Sequence, residues 1–238
     1  MTGSRRADRT RQLSMLCLAA LLLPTPAGSA PGVGVTLPGA AVDQPYSEVH
    51  LLRWTVSSTR GGGDSVRQIV DSWRWRHDLD GSGLLRQGSP AAASAVFPPG
   101  ALPLWSGTVA VPGDPDGLRR LLTRDIDTAP GSPDTTVLAR IADLSSVYCP
   151  TPAQRAAIVG LINDRIGPPT TSTGPTDTYT ATVAGTRWTL TVEHATNVLL
   201  GVDTVEVSTD GATQAQHTDY LSCRHTHAPH STANGDAA

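Results

Sequence analysis

Apolar and polar side chains alternate with a period of two near the start of the patterned part of the chain. Glu48, His50, Leu52, Trp54 and Val56 fall on one side, and Val49, Leu51, Arg53 and Thr55 on the other. Successive residues of an extended chain point to opposite faces, so the pattern predicts a strand with one face more buried than the other. After the turn-like Gly61-Gly62-Gly63-Asp64, residues Val66 to His77 alternate again and place Ile69, Trp73 and Trp75 together. Asp80-Gly81-Ser82-Gly83 then predicts a tight turn into a short strand, Leu84 to Gln87. Residues 88–103 are rich in Ala, Ser and Pro and read as a mobile loop, with a further strand expected between Trp105 and Val111.

The period then changes. Asp114 before Pro115 and Asp116 is a helix start, because a capping carboxylate satisfies free amides and Pro tolerates the first turn; it opens Leu118 to Thr123. A second helix is expected over Thr136–Val147. The third is bounded at both ends: Thr151 caps it, Pro152 opens it, Val159, Ile162 and Ile166 form its stripe, and Gly167 ends it. A Pro- and Thr-rich loop over 168–177 leads back to alternation at Tyr179–Val183, Arg187–Val192, Val198–Val207 and Thr218–Cys223. Strands, then helices, then strands predict one α+β domain over 46–224, an antiparallel sheet with two to three helices each covering part of one face. Residues 31–45 read as a flexible linker and 225–238 as a disordered polar tail.

The first 30 residues form a class of their own. Arg5, Arg6, Arg9 and Arg11 precede the apolar run Leu13–Leu23, which is followed by the small-residue exit Pro24–Ala30. That is the composition of a signal peptide, and the apolar run is about half the ~20 residues a membrane-spanning helix needs. The expectation is export to the envelope or the extracellular space, with an uncleaved anchor as the alternative. Removing this segment leaves 14 arginines against 20 acidic residues, a formal charge of −6. Such a chain lacks the clustered positive charge that nucleic acid requires. It also leaves two cysteines, Cys149 and Cys223, for which an oxidising compartment predicts a disulfide; two unpaired buried thiols are the alternative.

Four groups of residues invite a chemical reading. Asp78, Asp80 and Ser82 with Gly83 match the opening ligands of a calcium loop, but its twelfth position is Ser89, so the bidentate carboxylate is missing and a hairpin turn is expected. Gly63-Asp64-Ser65 is similar to the nucleophile segment of a family of serine esterases, yet no Asp-x-x-His follows and Gly-x-Ser-x-Gly is absent. His225, His227 and His230 are close enough in sequence to share a metal, but they sit in the expected tail, where ordering costs entropy. Trp54, Trp73, Trp75 and Trp188 all fall on expected strands of a chain with a single Phe. They form either an ordinary core or an apolar concave surface for a lipid-like ligand.

In order along the chain, Trp73-Arg-Trp75 running into Asp80-Gly81-Ser82-Gly83, Val111-Pro-Gly-Asp114-Pro115-Asp-Gly-Leu118, Pro152 with Arg155-Ala-Ala, and Asn197-Val-Leu-Leu-Gly201 resemble a family of actinobacterial envelope proteins. The resemblance implies the curved half-barrel of lipoprotein carriers, a sheet wrapped around helices that can hold acyl chains. It brings no catalytic residue and no cofactor. The expectation is therefore a non-catalytic exported protein that binds an apolar small molecule, a lipid or an envelope protein. A serine hydrolase using Ser65 and a tail histidine, and a purely structural envelope protein, are the alternatives. In the first reading the face carrying Trp73 and Trp75 meets the helices and leaves room for the ligand.

Overall fold

The computed structural model describes residues 44–58, 65–88, 94–107, 110–127, 132–207 and 212–227. The expected signal peptide, most of the linker, and the end of the tail with His230 lie outside these residues.

Nine strands form one open, wholly antiparallel sheet in the order β4-β3-β2-β1-β9-β8-β7-β6-β5. They are β1 (Tyr46–Ser58), β2 (Ser65–His77), β3 (Gly83–Gln87), β4 (Ser94–Phe97), β5 (Thr171–Thr173), β6 (Thr176–Val183), β7 (Thr186–Glu193), β8 (Leu199–Val207) and β9 (Thr213–Thr226). Two meanders run outward from the centre, where the first strand pairs with the last, Tyr46 opposite Thr226 and Trp54 opposite His217. The segment from β4 to β5 must therefore pass from one edge of the sheet to the other. It carries the three helices α1 (Pro115–Thr123), α2 (Pro133–Ser145) and α3 (Pro152–Ile166). The class is α+β, as the order of patterns predicts.

Each helix starts on the same device, a capping side chain followed by Pro: Asp114 Oδ1 accepts from Gly117 N at 2.6 Å, Ser132 caps α2 and Thr151 caps α3 in a capping box with Gln154. Gln154 is fully buried, takes hydrogen bonds from Tyr148 Oη (3.1 Å) and Thr151 N (2.8 Å), and donates to Pro112 O (2.7 Å). It thus ties α3 to the segment before α1. Its neighbours in the buried stripe are Ile158, Leu161 and Ile162, so the stripe is centred about one position away from the expected Val159 and Ile166, which are only partly buried.

Three expected elements differ. β4 forms inside the Ala, Ser and Pro-rich stretch read as a loop, and pairs Val96 with Leu84. Trp105–Gly107 is a single 3-10 turn where a strand was expected. β9 runs past residue 224 to Thr226, so His225 belongs to the sheet and not to a tail. Gly83 allows a close approach to β2: a Cβ there would lie 2.2 Å from Trp75 O. Ala184-Gly185, both at positive φ, make the tight β6–β7 turn.

The helices cover the face on which Val49, Leu51, Tyr179, Trp188, Leu190, Val192, Val202 and Tyr220 are buried together with Leu118, Leu138, Ile141, Leu144 and Leu161. We call this the inner face. By alternation, Trp54 belongs to the opposite, outer face of β1, and Trp73 and Trp75 pair across with the outer-facing His50 and Glu48. The expectation that Trp73 and Trp75 meet the helices is thus corrected: between them Arg74 reaches inward to Ser146 (3.1 Å), and Arg76 reaches Leu102 O (3.1 Å).

Candidate binding face

The outer face of β1, β9 and β8 carries a short row in which Trp54 lies opposite His217, and His217 opposite Asp203. The Trp54 and His217 rings stand 3.8 Å apart, tilted by 32°. His217 Nδ1 bonds to Asp203 Oδ1, and its Nε2 lies 2.8 Å from Asp219 Oδ1. Burial opposes the charged form of this imidazole, but its bonds to the two carboxylates and their negative charge outweigh burial and hold its pKa above the usual 6.5. Next to the row is a groove of about 260 Å³, lined by Trp54, Val56, Asp203, Val205, Ala215 and His217. Its floor is aliphatic and one end is acidic. Ile69, cross-strand from Trp54, is 68 % exposed and extends the apolar surface.

A second stack lies further along β1 and β2. His50 and Trp73 rings are 3.9 Å apart and nearly parallel at 9°, and His50 Nε2 is 2.7 Å from Asp71 Oδ1. The same logic recurs: a carboxylate fixes an imidazole, and the imidazole supports an indole. Trp75 is different. It is only 3 % exposed, donates from Nε1 to Glu48 Oε2 at 2.6 Å, and lies under the Arg86 guanidinium at 5.6 Å. Glu48 also accepts from Arg224 Nε at 2.9 Å. This is a closed network that leaves Trp75 no free surface for a ligand.

Trp188 sits on the inner face and is part of the core beneath the helices. The four tryptophans singled out from sequence therefore do not line one surface: Trp54 and Trp73 are half-buried on the outer face, Trp75 is packed into it, and Trp188 is on the other side. The residues that sequence reasoning missed are His217 and Asp203. Their signal was in the alternation of β8 and β9, where Asp203 and His217 pair at outer positions next to the aliphatic pair Val205 and Ala215.

The remaining candidates are occupied by structure. Cys149 and Cys223 form a disulfide with their Cα atoms 5.4 Å apart, as expected. His225 Nε2 lies 2.8 Å from Cys149 O and its Nδ1 3.4 Å from Asp78 Oδ2. Ser47 donates to Asp78 Oδ1 (2.8 Å) and accepts from Cys149 N (3.0 Å). Asp78 raises the His225 pKa, against its burial. Ser47, Asp78 and His225 do not form a catalytic relay, because Ser47 bonds to the carboxylate and the free end of the imidazole is spent on a backbone carbonyl. Asp78 and Asp80 do not converge on a cation either: Asp80 Oδ1 accepts from Ser82 N (2.8 Å), which closes the hairpin turn. No cluster among the described residues could hold a metal ion. Asp64, His230 and Ser89 fall outside the described residues, as does the side chain of Ser65.

Compared with known proteins, the chain matches no family model and no curated protein.

Proposed function

We propose that this is an exported, non-catalytic binding protein of the cell envelope and that its binding face is the outer face of β1, β9 and β8. The observation that carries the reading is the groove beside Trp54, with an aliphatic floor and the His217–Asp203–Asp219 group at its end. The disulfide is what an extracellular or envelope location favours. The open antiparallel sheet with helices on one face supports a carrier-like half-barrel. The groove, however, is on the side away from the helices.

The ligand of this face is an apolar group, such as an acyl chain or a side chain of an envelope partner. At about 25 cal/mol per Å², burying roughly 200 Å² of apolar surface would contribute about 5 kcal/mol before association costs, so one alkyl chain binds weakly here. The carboxylates set the preferred end group. They repel an anion and attract a cation, and Trp54 adds a cation–π contribution of about 0.5–1 kcal/mol. Decyltrimethylammonium should therefore shift the tryptophan fluorescence of the folded protein at lower concentration than decanoate. Trp54→Ala should remove the shift, and Trp188→Phe should keep it. Absence of a response to either probe, or a response indifferent to Trp54→Ala, would refute the reading.

A further inference from the structure

The inner face of β1 and β2 is unusual for a surface that faces helices, because it turns from aliphatic to basic within a few residues. Val49 and Leu51 are buried, but the next inner position is Arg53, and the inner positions of β2 that follow Val70 are Ser72, Arg74 and Arg76. In the register of the pair, Val49 lies opposite Arg74, Leu51 opposite Ser72 and Arg53 opposite Val70. Ser72 is therefore flanked on the same face by two arginines, one on its own strand and one diagonally across on its neighbour. Arg76 is used otherwise, by Leu102 O.

The hydrogen bonds of this group are incomplete. Arg74 Nη1 donates to Ser146 Oγ at 3.1 Å, and Arg53 Nε to Thr218 Oγ1 at 3.1 Å. Both acceptors are neutral. Among the described residues neither guanidinium has a carboxylate oxygen within 4.0 Å. Arg74 Nε and Ser72 Oγ are buried and find no hydrogen-bond partner among the described residues. Burial and the charge of Arg53 lower the Arg74 pKa to about 10. The carboxylate that both arginines feel is Asp143, in the last turn of α2, which reaches solvent at the edge of the helix layer. Two positive charges thus face one negative charge.

A purely structural role explains part of this. Arg74 and Tyr220, whose Oη donates to Ala142 O at 2.9 Å, serve the end of α2, where free carbonyls and the helix dipole favour donors and cations. Arg140 does the same for α1, donating to Leu122 O. The structural role accounts for Arg74 Nη1. Among the described residues it gives no partner to Arg74 Nε or Ser72 Oγ, and it leaves Arg53 and Arg74 to share the single charge of Asp143. Buried donors are almost always satisfied, and a pair of guanidiniums next to a hydroxyl matches an oxyanion, which accepts several charge-assisted hydrogen bonds at once.

We propose that Arg53, Ser72 and Arg74 form an anion site at the solvent-reaching edge of the layer between the sheet and α2, and that it takes a phosphate-type oxyanion. The group could come from a free phosphate or from a phospholipid headgroup, whose recognition chemistry is shared. The site is independent of the Trp54 groove, which lies on the other face of the sheet.

Calorimetric titration of the full chain with inorganic phosphate, and flotation with vesicles of phosphatidylcholine with or without phosphatidylglycerol, test it. Saturable binding of phosphate is expected at millimolar concentration or below, weakened about tenfold or more by Arg53→Gln and by Arg74→Gln. If only the phosphatidylglycerol vesicles bind, with the same dependence on both arginines, the oxyanion is a headgroup and the site stands. Arg74→Gln also loosens α2, so Ser72→Ala is the second variant: it removes an unsatisfied hydroxyl, should leave the melting temperature unchanged or raise it, and should weaken anion binding several-fold. No binding of either probe, or binding unchanged in Arg53→Gln and Ser72→Ala, would overturn the proposal.

Discussion

The two halves of the sheet treat their faces in opposite ways. In β6, β7 and β8 the division is simple: Tyr179, Trp188, Leu190, Val192 and Val202 point inward to the helices, while Thr180, Thr189 and Thr191 occupy the outer positions. In β1 and β2 the large aromatic side chains are on the outer face and arginines are on the inner one. A half that only had to bury a core would follow the first scheme. The second half gives up some of that burial; it carries the Arg53–Arg74 pair on one side and, on the other, Trp54 and Val56 of the groove that Asp203 and Val205 of β8 complete. On the proposed reading β1, β2 and β9, together with the outer positions of β8, carry the binding surfaces, and β6, β7 and the inner positions of β8 are their support.

The comparison can be broken most forcefully at the staple that ties the segment between α2 and α3 to β9. The Cys149–Cys223 disulfide closes a loop of 74 residues, for which chain entropy predicts about 4 kcal/mol. Urea denaturation of the Cys149→Ser, Cys223→Ser double variant should show a loss of that order. Next in size is the inner core of the supporting half: Leu190 is fully buried, and Leu190→Ala should cost about 3 kcal/mol in the same measurement. Trp54→Ala, on the outer face of the other half, should cost about 1 kcal/mol or less while removing ligand response. If Trp54→Ala were as destabilising as Leu190→Ala, the distinction between support and function would fail.

The smallest effect sharpens the same contrast by pH. His217 has a folded pKa raised above 6.5, so its pairing with Asp203 and Asp219 stabilises the fold fully below pH 6.5. That contribution is lost as pH rises through the raised value. Melting temperature measured from pH 5 to pH 9 should therefore contain a small decrease above pH 6.5 that Asp203→Asn reduces. Asp203→Asn that left the profile unchanged would mean that this carboxylate does not hold the imidazole.

Most of the secondary structure was legible because alternation and helix punctuation are local. β1, β2, β6, β7 and β8 follow their period-two patterns, and α1 and α3 follow Asp114-Pro115 and Thr151-Pro152. The start of α2 was placed three residues late although Ser132-Pro133 carries the same signal as the other two helices. β4 was hidden because Ala and Ser contribute little contrast to an alternating pattern, and only its pairing with β3 makes it a strand. The pairing of Cys149 with Cys223 followed from there being two cysteines left.

The faces of β1 and β2 were not legible. Alternation states which residues share a face, and it placed Ile69, Trp73 and Trp75 together correctly. It does not state which face the helices will cover. The usual guide is that the larger apolar set goes inward, and here that guide points the wrong way: Val49 and Leu51 belong to the buried cluster that includes the helix residues, and Trp73 and Trp75 do not. The partnership of Trp54, His217 and Asp203 depends on β1 and β9 being neighbours, a contact between positions more than 160 residues apart that no local pattern contains.

The central claim is that an apolar ligand meets the outer face at Trp54 and not the space beneath the helices. Chemical-shift mapping of isotopically labelled protein during titration with decyltrimethylammonium tests it directly. The account predicts that the shifting signals are the Trp54 indole, Val56, Val205, Ala215 and His217, with Trp188, Leu190 and the residues of α1 to α3 left in place. Shifts concentrated on Trp188, Leu190 and the helices would contradict it.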